Sequence, residues 1–268
     1  MKLELSNSDI LKSTLSDELV SKGIDIFLKE GALWINSVIP LDILDLANKE
    51  IQQYIDNIEQ RNEDKLNLKV GDRRYMEPIN IKYPFNDNRL FCPDKVLQIL
   101  LRILGRDLVL NSYTAVISLP GAKNQHIHSD GSPLFKTNIN FPLPPHAITL
   151  AIPLIKLDEK CGSTAIWVKS HLKGMNLVVD TKTKKTLPAY LPLPNLGDIY
   201  MFDYRVMHAG MANKTDYARP ILYIVFSKPW WIDPSNFSSN YKPINISLEE
   251  LKLMPDNISS LFRLINLS

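Results

Sequence analysis

Apolar positions in the first third of the chain recur at helical spacing. Leu44, Ala47, Ile51, Tyr54, Ile55 and Ile58 fall on one side of a helix, and the polar run over 60–64 ends that element. Before it, the stretch ALWINSVI at 32–39 predicts a short strand. A second helix is predicted over 93–104. Pro93 and Asp94 open it, apolar residues fill one side, and Gly105 stands where a C-terminal cap belongs. From residue 108 onward the pattern changes. Apolar runs at 108–119, 147–154, 163–168, 198–204 and 220–228 predict strands, punctuated by Pro120-Gly121, the proline-rich 142–145 and Leu196-Gly197. A parallel α/β sheet would need a helix after each strand, so an antiparallel jelly-roll sandwich is expected instead. The expected organisation is mainly β with N-terminal helices, in one domain over 1–268. A helical buttress takes about 1–105, the jelly-roll core about 106–230 and a C-terminal segment 231–268.

Charge narrows the partners. Lys and Arg total 31 against 29 Asp and Glu, a net +2 spread along the chain. That is too little to favour nucleic acid or an acidic membrane surface. The densest basic run, 182–185, reads as a solvated loop. No apolar stretch approaches the roughly 20 residues that a spanning helix needs, and MKLELSNSDILK lacks the apolar core of a signal peptide. Cys92 and Cys161 have no ligand-like spacing, and the Asn-x-Ser/Thr triplets at Asn213 and Asn236 read as coincidence. A reduced, cytoplasmic protein is expected, with its oligomeric state open.

The central chemical signal is QHIHSD, residues 125–130. Residues i and i+2 of an extended segment share a face, so His128 and Asp130 can reach one metal together. Alone, this pair is a weak signal. The second element is His208, which follows the apolar strand at 199–202 and lies 78 residues after Asp130. Two histidines and one carboxylate form the facial triad of non-haem iron(II) oxygenases, which leaves three coordination positions open. The third element is Arg219, which opens the apolar strand PILYIVFSK. A buried arginine is costly unless it meets an anion, and its planar fork suits a carboxylate. An ion pair with one of the chain's own carboxylates is the structural alternative for Arg219, and a loop histidine bonded to backbone is the alternative for His208.

LPGAKNQHIHSDG, CGSTAIWVKSH and GDIYMFDYRVMHAG followed by Arg219 resemble the three signature blocks of the phytanoyl-CoA dioxygenase family, and FLKEGALWINSVIPLDILDLA resembles its opening. The resemblance spans about 27–229. It implies a double-stranded β-helix and an iron(II)- and 2-oxoglutarate-dependent oxygenase that consumes O2 and releases succinate and CO2. His128, Asp130 and His208 then match the iron ligands, and Arg219 the residue that holds the far carboxylate of 2-oxoglutarate. Gln125 and Thr164 fall where family members contact that cosubstrate. One block departs from the family pattern: Val168-Lys169-Ser170-His171 stands where Pro-Gly-Ser-His is usual, and His171 is expected to be structural. Family halogenases carry a small residue in place of the acid, so Asp130 points to hydroxylation or a related oxidation.

Two other classes compete: a cupin-like metalloenzyme that does not use 2-oxoglutarate, and a non-catalytic binding module on the same fold. Arg73, Tyr83, Trp167, Tyr204 and Trp230 are candidates to line a substrate site, against ordinary core packing for the aromatics. His146 is expected at the surface or facing substrate. The segments 131–146 and 172–185 are the lid candidates, because mobile loops on a rigid scaffold carry specificity.

Overall fold

Polar caps and glycines set the limits of the first elements. A short strand β1 (Lys2–Leu3) leads to a one-turn helix α1 (Asn7–Ile10), whose Ser6 and Asp9 cap each other reciprocally. Ser16 then accepts the Leu19 N–H to start α2 (Asp17–Glu30), and Gly31, at φ +78°, stops it. A side chain at that φ would be strained. Strand β2 (Ala32–Ile35) and helix α3 (Leu41–Gln60) follow, then strands β3 (Lys69–Gly71) and β4 (Arg74–Pro78) and helices α4 (Asn88–Phe91) and α5 (Asp94–Leu104). The rest is β5 (Val109–Ser118), β6 (Ala147–Pro153), β7 (Thr164–Ile166), α6 (Ser170–Lys173), β8 (Ile199–Asp203), β9 (His208–Gly210), β10 (Arg219–Ser227), α7 (Leu248–Leu253) and α8 (Asp256–Ser259). The computed structural model describes residues 1–60, 69–131, 134–135, 141, 143–173, 178–179, 185–231, 233 and 242–265.

The five core strands expected from the apolar runs are β5, β6, β7, β8 and β10, each within two residues of the predicted limits. The expected strand at 32–39 is shorter, because Ser37 turns the chain at φ +50°. His208 does not end the strand before it. A turn after β8 intervenes, and His208 opens β9.

An eight-stranded sheet runs in the order β1-β2-β8-β6-β10-β5-β4-β3, antiparallel except at β1–β2. A smaller sheet pairs β7 with β9, and bridges at His128↔His208 and Ile166↔Tyr190 widen it. Together they form the jelly roll, a double-stranded β-helix with helices on the outside.

Alternation along the strands gives the large sheet two different faces. On the outer face Tyr113, Ile117, Leu150, Met201, Leu222 and Ile224 join Phe27, Ile51 and Ile99 of the helices in one apolar cluster. Each purely hydrocarbon or thioether side chain among them contributes about 1.5–3 kcal/mol by leaving water. The inner face carries Arg74, Thr114, Ser118, Thr149, Tyr200, Arg219 and Tyr223, all but Tyr223 buried. Both cysteines are buried and unpaired. Among the described residues no helix is long and apolar enough to cross a membrane.

Candidate metal centre and its pocket

Backbone pairing brings the histidines together. The segment that holds QHIHSD runs antiparallel to β9: Gln125 N donates to Gly210 O at 2.9 Å, His128 N to His208 O at 3.0 Å, and His208 N to His128 O at 2.7 Å. His128 is thereby fixed opposite His208, with ring centroids 4.4 Å apart. Asp130, two residues on, points the same way, and its Oδ1 lies 3.2 Å from His208 Nε2. One ligand atom from each of the three residues lies within 4.8 Å of the others, the one such group of His, Cys, Asp or Glu among the described residues.

Neighbouring groups set the orientation of each ligand. His128 Nδ1 lies 2.9 Å from His126 O and His208 Nδ1 lies 3.0 Å from Val206 O. A carbonyl oxygen can only accept, so Nδ1 carries the proton in both rings and Nε2 is the atom left for a metal, which on His208 would displace the proton that Asp130 favours. Thr149 Oγ1 donates to Asp130 Oδ2 at 2.9 Å, which leaves Oδ1 for coordination. Burial opposes the charge on Asp130, but His208, His128 and the Thr149 hydroxyl hold its carboxyl below the usual range. Two neutral imidazoles and one carboxylate sum to a single negative charge, which fits a divalent cation.

The turn before His208 is built to place it. Arg205 clasps Asp203 through Nε at 2.8 Å and Nη2 at 2.7 Å, and Val206 N closes onto Asp203 O at 2.8 Å. Ser170 Oγ then accepts Met207 N at 2.8 Å, and Met207 O accepts Trp167 N at 2.9 Å. The signature block holding Trp167 and Ser170 thus acts on the site through the backbone beside His208.

Arg219 lies on the inner face with 2% of its surface exposed. Its Nη1 donates to Cys161 O at 2.8 Å and Met211 O at 3.0 Å, and its Nη2 to Ser118 Oγ at 2.8 Å. Among the described residues its Nε is buried with no partner. Among the described residues no carboxylate pairs with it. The structural alternative, an internal ion pair, is therefore not what the described residues form. Beside it Thr164 Oγ1 bonds Tyr223 OH at 2.5 Å and Tyr200 OH at 3.0 Å. A buried guanidinium with a spare donor, next to hydroxyls, is chemistry suited to a carboxylate.

A family model for phytanoyl-CoA dioxygenase (PhyH) matches residues 27–221. The chain belongs to the phytanoyl-CoA dioxygenase family. Solved structures agree on the fold. The non-heme alpha ketoglutarate dependent epimerase SnoN from nogalamycin biosynthesis aligns with a TM-score of 0.60 at 14% identity, covering 80% of this chain and 82% of that one. HygX from Streptomyces hygroscopicus, solved with nickel and 2-oxoglutarate bound, gives 0.57 at 14% identity, covering 82% and 90%. The carbocyclase SnoK, also from nogalamycin biosynthesis, gives 0.55 at 18% identity, covering 80% and 84%.

In this family member a cavity of about 270 Å³ joins the triad to Gln125, Thr164, Tyr204 and Tyr223. Gln125 spends its amide on backbone: Nε2 donates to Val70 O at 2.7 Å and Oε1 accepts Gly210 N at 2.9 Å. Thr164 and Tyr204 face the cavity, and Tyr204 OH donates to Asp233 at 2.5 Å. Four residues named as substrate candidates do not line it. Arg73 is exposed and donates to Pro120 O, and Tyr83 is 60% exposed beside α7 and α8. Trp167 is buried with its indole N–H on Leu187 O, and Trp230 is 62% exposed. His146 is buried rather than at the surface, packed against Trp230 and Trp231, with Nδ1 unpartnered among the described residues. His171 has the structural place expected of it, with Nε2 at Leu28 O. Of the lid candidates, most of 174–184 and much of 132–142 lie outside the described residues.

Sequence reasoning missed Arg74, Ser118, Thr149, Tyr200, Tyr223 and Asp233. Their polar side chains are interleaved with apolar ones, so they read as ordinary members of a strand or loop.

Proposed function

We propose that this chain is an iron(II)- and 2-oxoglutarate-dependent oxygenase. It hydroxylates or otherwise oxidises an unactivated carbon of a small-molecule substrate in the cytoplasm, with release of succinate and CO2, and residues 1–268 act as one oxygenase domain. The observation that carries this reading is the conjunction, between the two sheets, of the His128, Asp130 and His208 donors on the small sheet's side with Arg219 on the inner face of the large one, a buried cation that keeps an unused donor among the described residues. When bound, the metal couples decarboxylation of 2-oxoglutarate by O2 to oxidation of the substrate.

The chain's own residues supply holding and positioning. His128, Asp130 and His208 would hold the ion, three ligands in number, so that cosubstrate and O2 could also reach it. Thr149 keeps Asp130 from rotating, and the backbone carbonyls of His126 and Val206 keep both imidazoles in the metal-binding tautomer. Arg219, with Thr164 and Tyr223, receives the far carboxylate. Val70, Met76, Val116 and Val225 give the cavity apolar walls that exclude water from the reacting atoms. Tyr204 faces the prime substrate. Asp130 stands where the resemblance gives family halogenases a small residue, which favours oxygenation. SnoN is an epimerase and SnoK a carbocyclase, so epimerisation and ring closure belong beside hydroxylation and desaturation among the outcomes to assay.

The cupin-like alternative without 2-oxoglutarate would be favoured by an Arg219 turned outward or neutralised by an acid. Arg219 is buried and meets no acid among the described residues; it does not itself line the triad's cavity, but Tyr223 of the same strand face does. The test is oxygen uptake and succinate formation by the iron-loaded protein, with and without 2-oxoglutarate, across a panel of small molecules. Uptake that needs 2-oxoglutarate and yields succinate is expected. Substrate oxidation that proceeds unchanged when 2-oxoglutarate is omitted would overturn the proposal.

A further inference from the structure

Arg219 is not the only buried guanidinium on the inner face. Strands β4, β5 and β10 align Arg74, Ser118 and Arg219 in one row, with both arginines as register partners of Ser118 from opposite sides. Arg74 is fully enclosed, at 0% exposure. Its Nε donates to Ser118 Oγ at 2.8 Å, the oxygen that also takes Arg219 Nη2 at 2.8 Å. Its Nη2 donates to Met211 O at 2.7 Å, the carbonyl that also takes Arg219 Nη1 at 3.0 Å. Its third contact is Nη1 to Gly210 O at 3.0 Å. Glycines make room for both forks. A Cβ on Gly210 would lie 2.7 Å from Arg74 Nη1, and one on Gly162 would lie 2.9 Å from Arg219 Nη1.

Every acceptor in this set is neutral. Among the described residues no carboxylate bonds either arginine. Two like charges that share two acceptors away from water repel, and uncharged oxygens offset only part of that cost. Burial first, and then the charge of Arg219, push the Arg74 guanidinium down to about 10, which still leaves it charged at neutral pH. A protein that needed only a strap between β9 and the large sheet would not require a second cation here. An anion arriving at the free Arg219 Nε would relieve both charges at once.

We infer that Arg74 is a second cation of the cosubstrate pocket, a positioning residue that acts through Ser118 and Arg219 to strengthen the hold on the far carboxylate of 2-oxoglutarate. The inference rests on the oxygenase reading above. A strap and a cation differ in what they change. A strap lowers stability when removed and leaves the folded protein's affinity for dicarboxylate alone. A cation sets that affinity, and a lysine replaces it in part.

Calorimetric titration of the nickel-loaded protein separates these roles without turnover. The two probes are 2-oxoglutarate and glutarate, which lacks the chelating oxo group and so reads the carboxylate end alone. Arg74→Gln should weaken both by about tenfold or more, the scale of one charge acting at short range in a protein interior. Arg74→Lys keeps the charge without the planar fork and should stay within about threefold of the wild type. Nickel affinity should be the same in all three proteins. Equal losses in the Lys and Gln variants, or a Gln variant that binds both probes like the wild type, would overturn the inference. Should Arg74→Gln fail to fold, Arg74→Lys decides alone, and a tenfold loss in that charged variant overturns it. A wild type that takes up no 2-oxoglutarate would instead sink the oxygenase reading itself.

Discussion

The two faces of the large sheet are made by alternate residues of the same strands, yet they do different work. In β10 the outward set Leu222, Ile224 and Phe226 is apolar, sealed against the helices. The inward set Arg219, Ile221, Tyr223 and Val225 leads from a buried cation to the cavity wall. The outer face stabilises the fold by removing hydrocarbon from water. On the proposed reading, the inner face tolerates orphan donors and like charges because a metal and a cosubstrate complete it. Neighbouring residues in sequence should therefore fail in different ways.

Asp130→Ala should show the largest effect. It removes the one carboxylate of the proposed triad, so iron(II) or nickel(II) affinity measured by calorimetry should fall by more than about a hundredfold, beyond the loss typical of outer ligand partners. Its melting temperature should stay near that of the wild type. Retained metal affinity would break the assignment of the triad. Arg219→Ala comes next. Losing a desolvated carboxylate contact costs about 2–5 kcal/mol, so the Michaelis constant for 2-oxoglutarate should rise by an order of magnitude or more. Arg219→Lys should recover only part of that. A rise confined to the prime substrate would contradict this role.

Leu222→Ala sharpens the contrast, since it lies three residues along the same strand on the opposite face. It should destabilise the fold by about 2–5 kcal/mol, as large-to-small changes in packed cores do. Denaturant titration reads that loss, while the 2-oxoglutarate constant of the folded fraction should not move. A large change in that constant would show that the faces are not separable.

The sequence made one face legible and concealed the other. Strands buried on both sides read as continuous apolar runs, so β5, β6, β8 and β10 were visible, but their inward members were not distinguishable from the outward ones. Thr149 and Tyr223 were lost inside such runs. Strands β3 and β4 escaped because Lys69, Arg74 and Pro78 interrupt any apolar pattern. Arg73 was named where Arg74 is the buried one, since a shift of one residue exchanges the faces and only the pairing of β4 with β5 fixes the register. The triad was legible because metal ligation demands particular residue types at a spacing that shares a face. The histidine tautomers and the Asp203–Arg205 clasp depend on backbone geometry and could not be read.

His146 gives the smallest effect and concerns the start of β6. Burial, assisted by the charge of Arg205 and opposed by Asp203, pushes its imidazole from 6.5 down to about 4. The unfolded chain takes the proton first, so its stability contribution is full above about 6.5 and is lost as pH falls toward 4. The loss can reach about 1.4 kcal/mol per pH unit in that window. His146→Phe should flatten the fall in melting temperature between pH 6.5 and pH 5, and an unchanged slope would show that His146 is not the group responsible.

The central claim is that the space between the two sheets holds iron through His128, Asp130 and His208 and orients 2-oxoglutarate through Arg219. Its most direct test is an anaerobic titration of the iron(II)-loaded protein with 2-oxoglutarate, followed by the visible charge-transfer absorption that arises when a 2-oxo acid chelates ferrous iron. The wild type should develop the band and saturate. Arg219→Ala should need about tenfold or more cosubstrate to reach the same intensity, and Asp130→Ala should give no band. A wild type that binds iron without developing the band, or an Arg219→Ala variant that saturates at the wild-type concentration, would contradict the account.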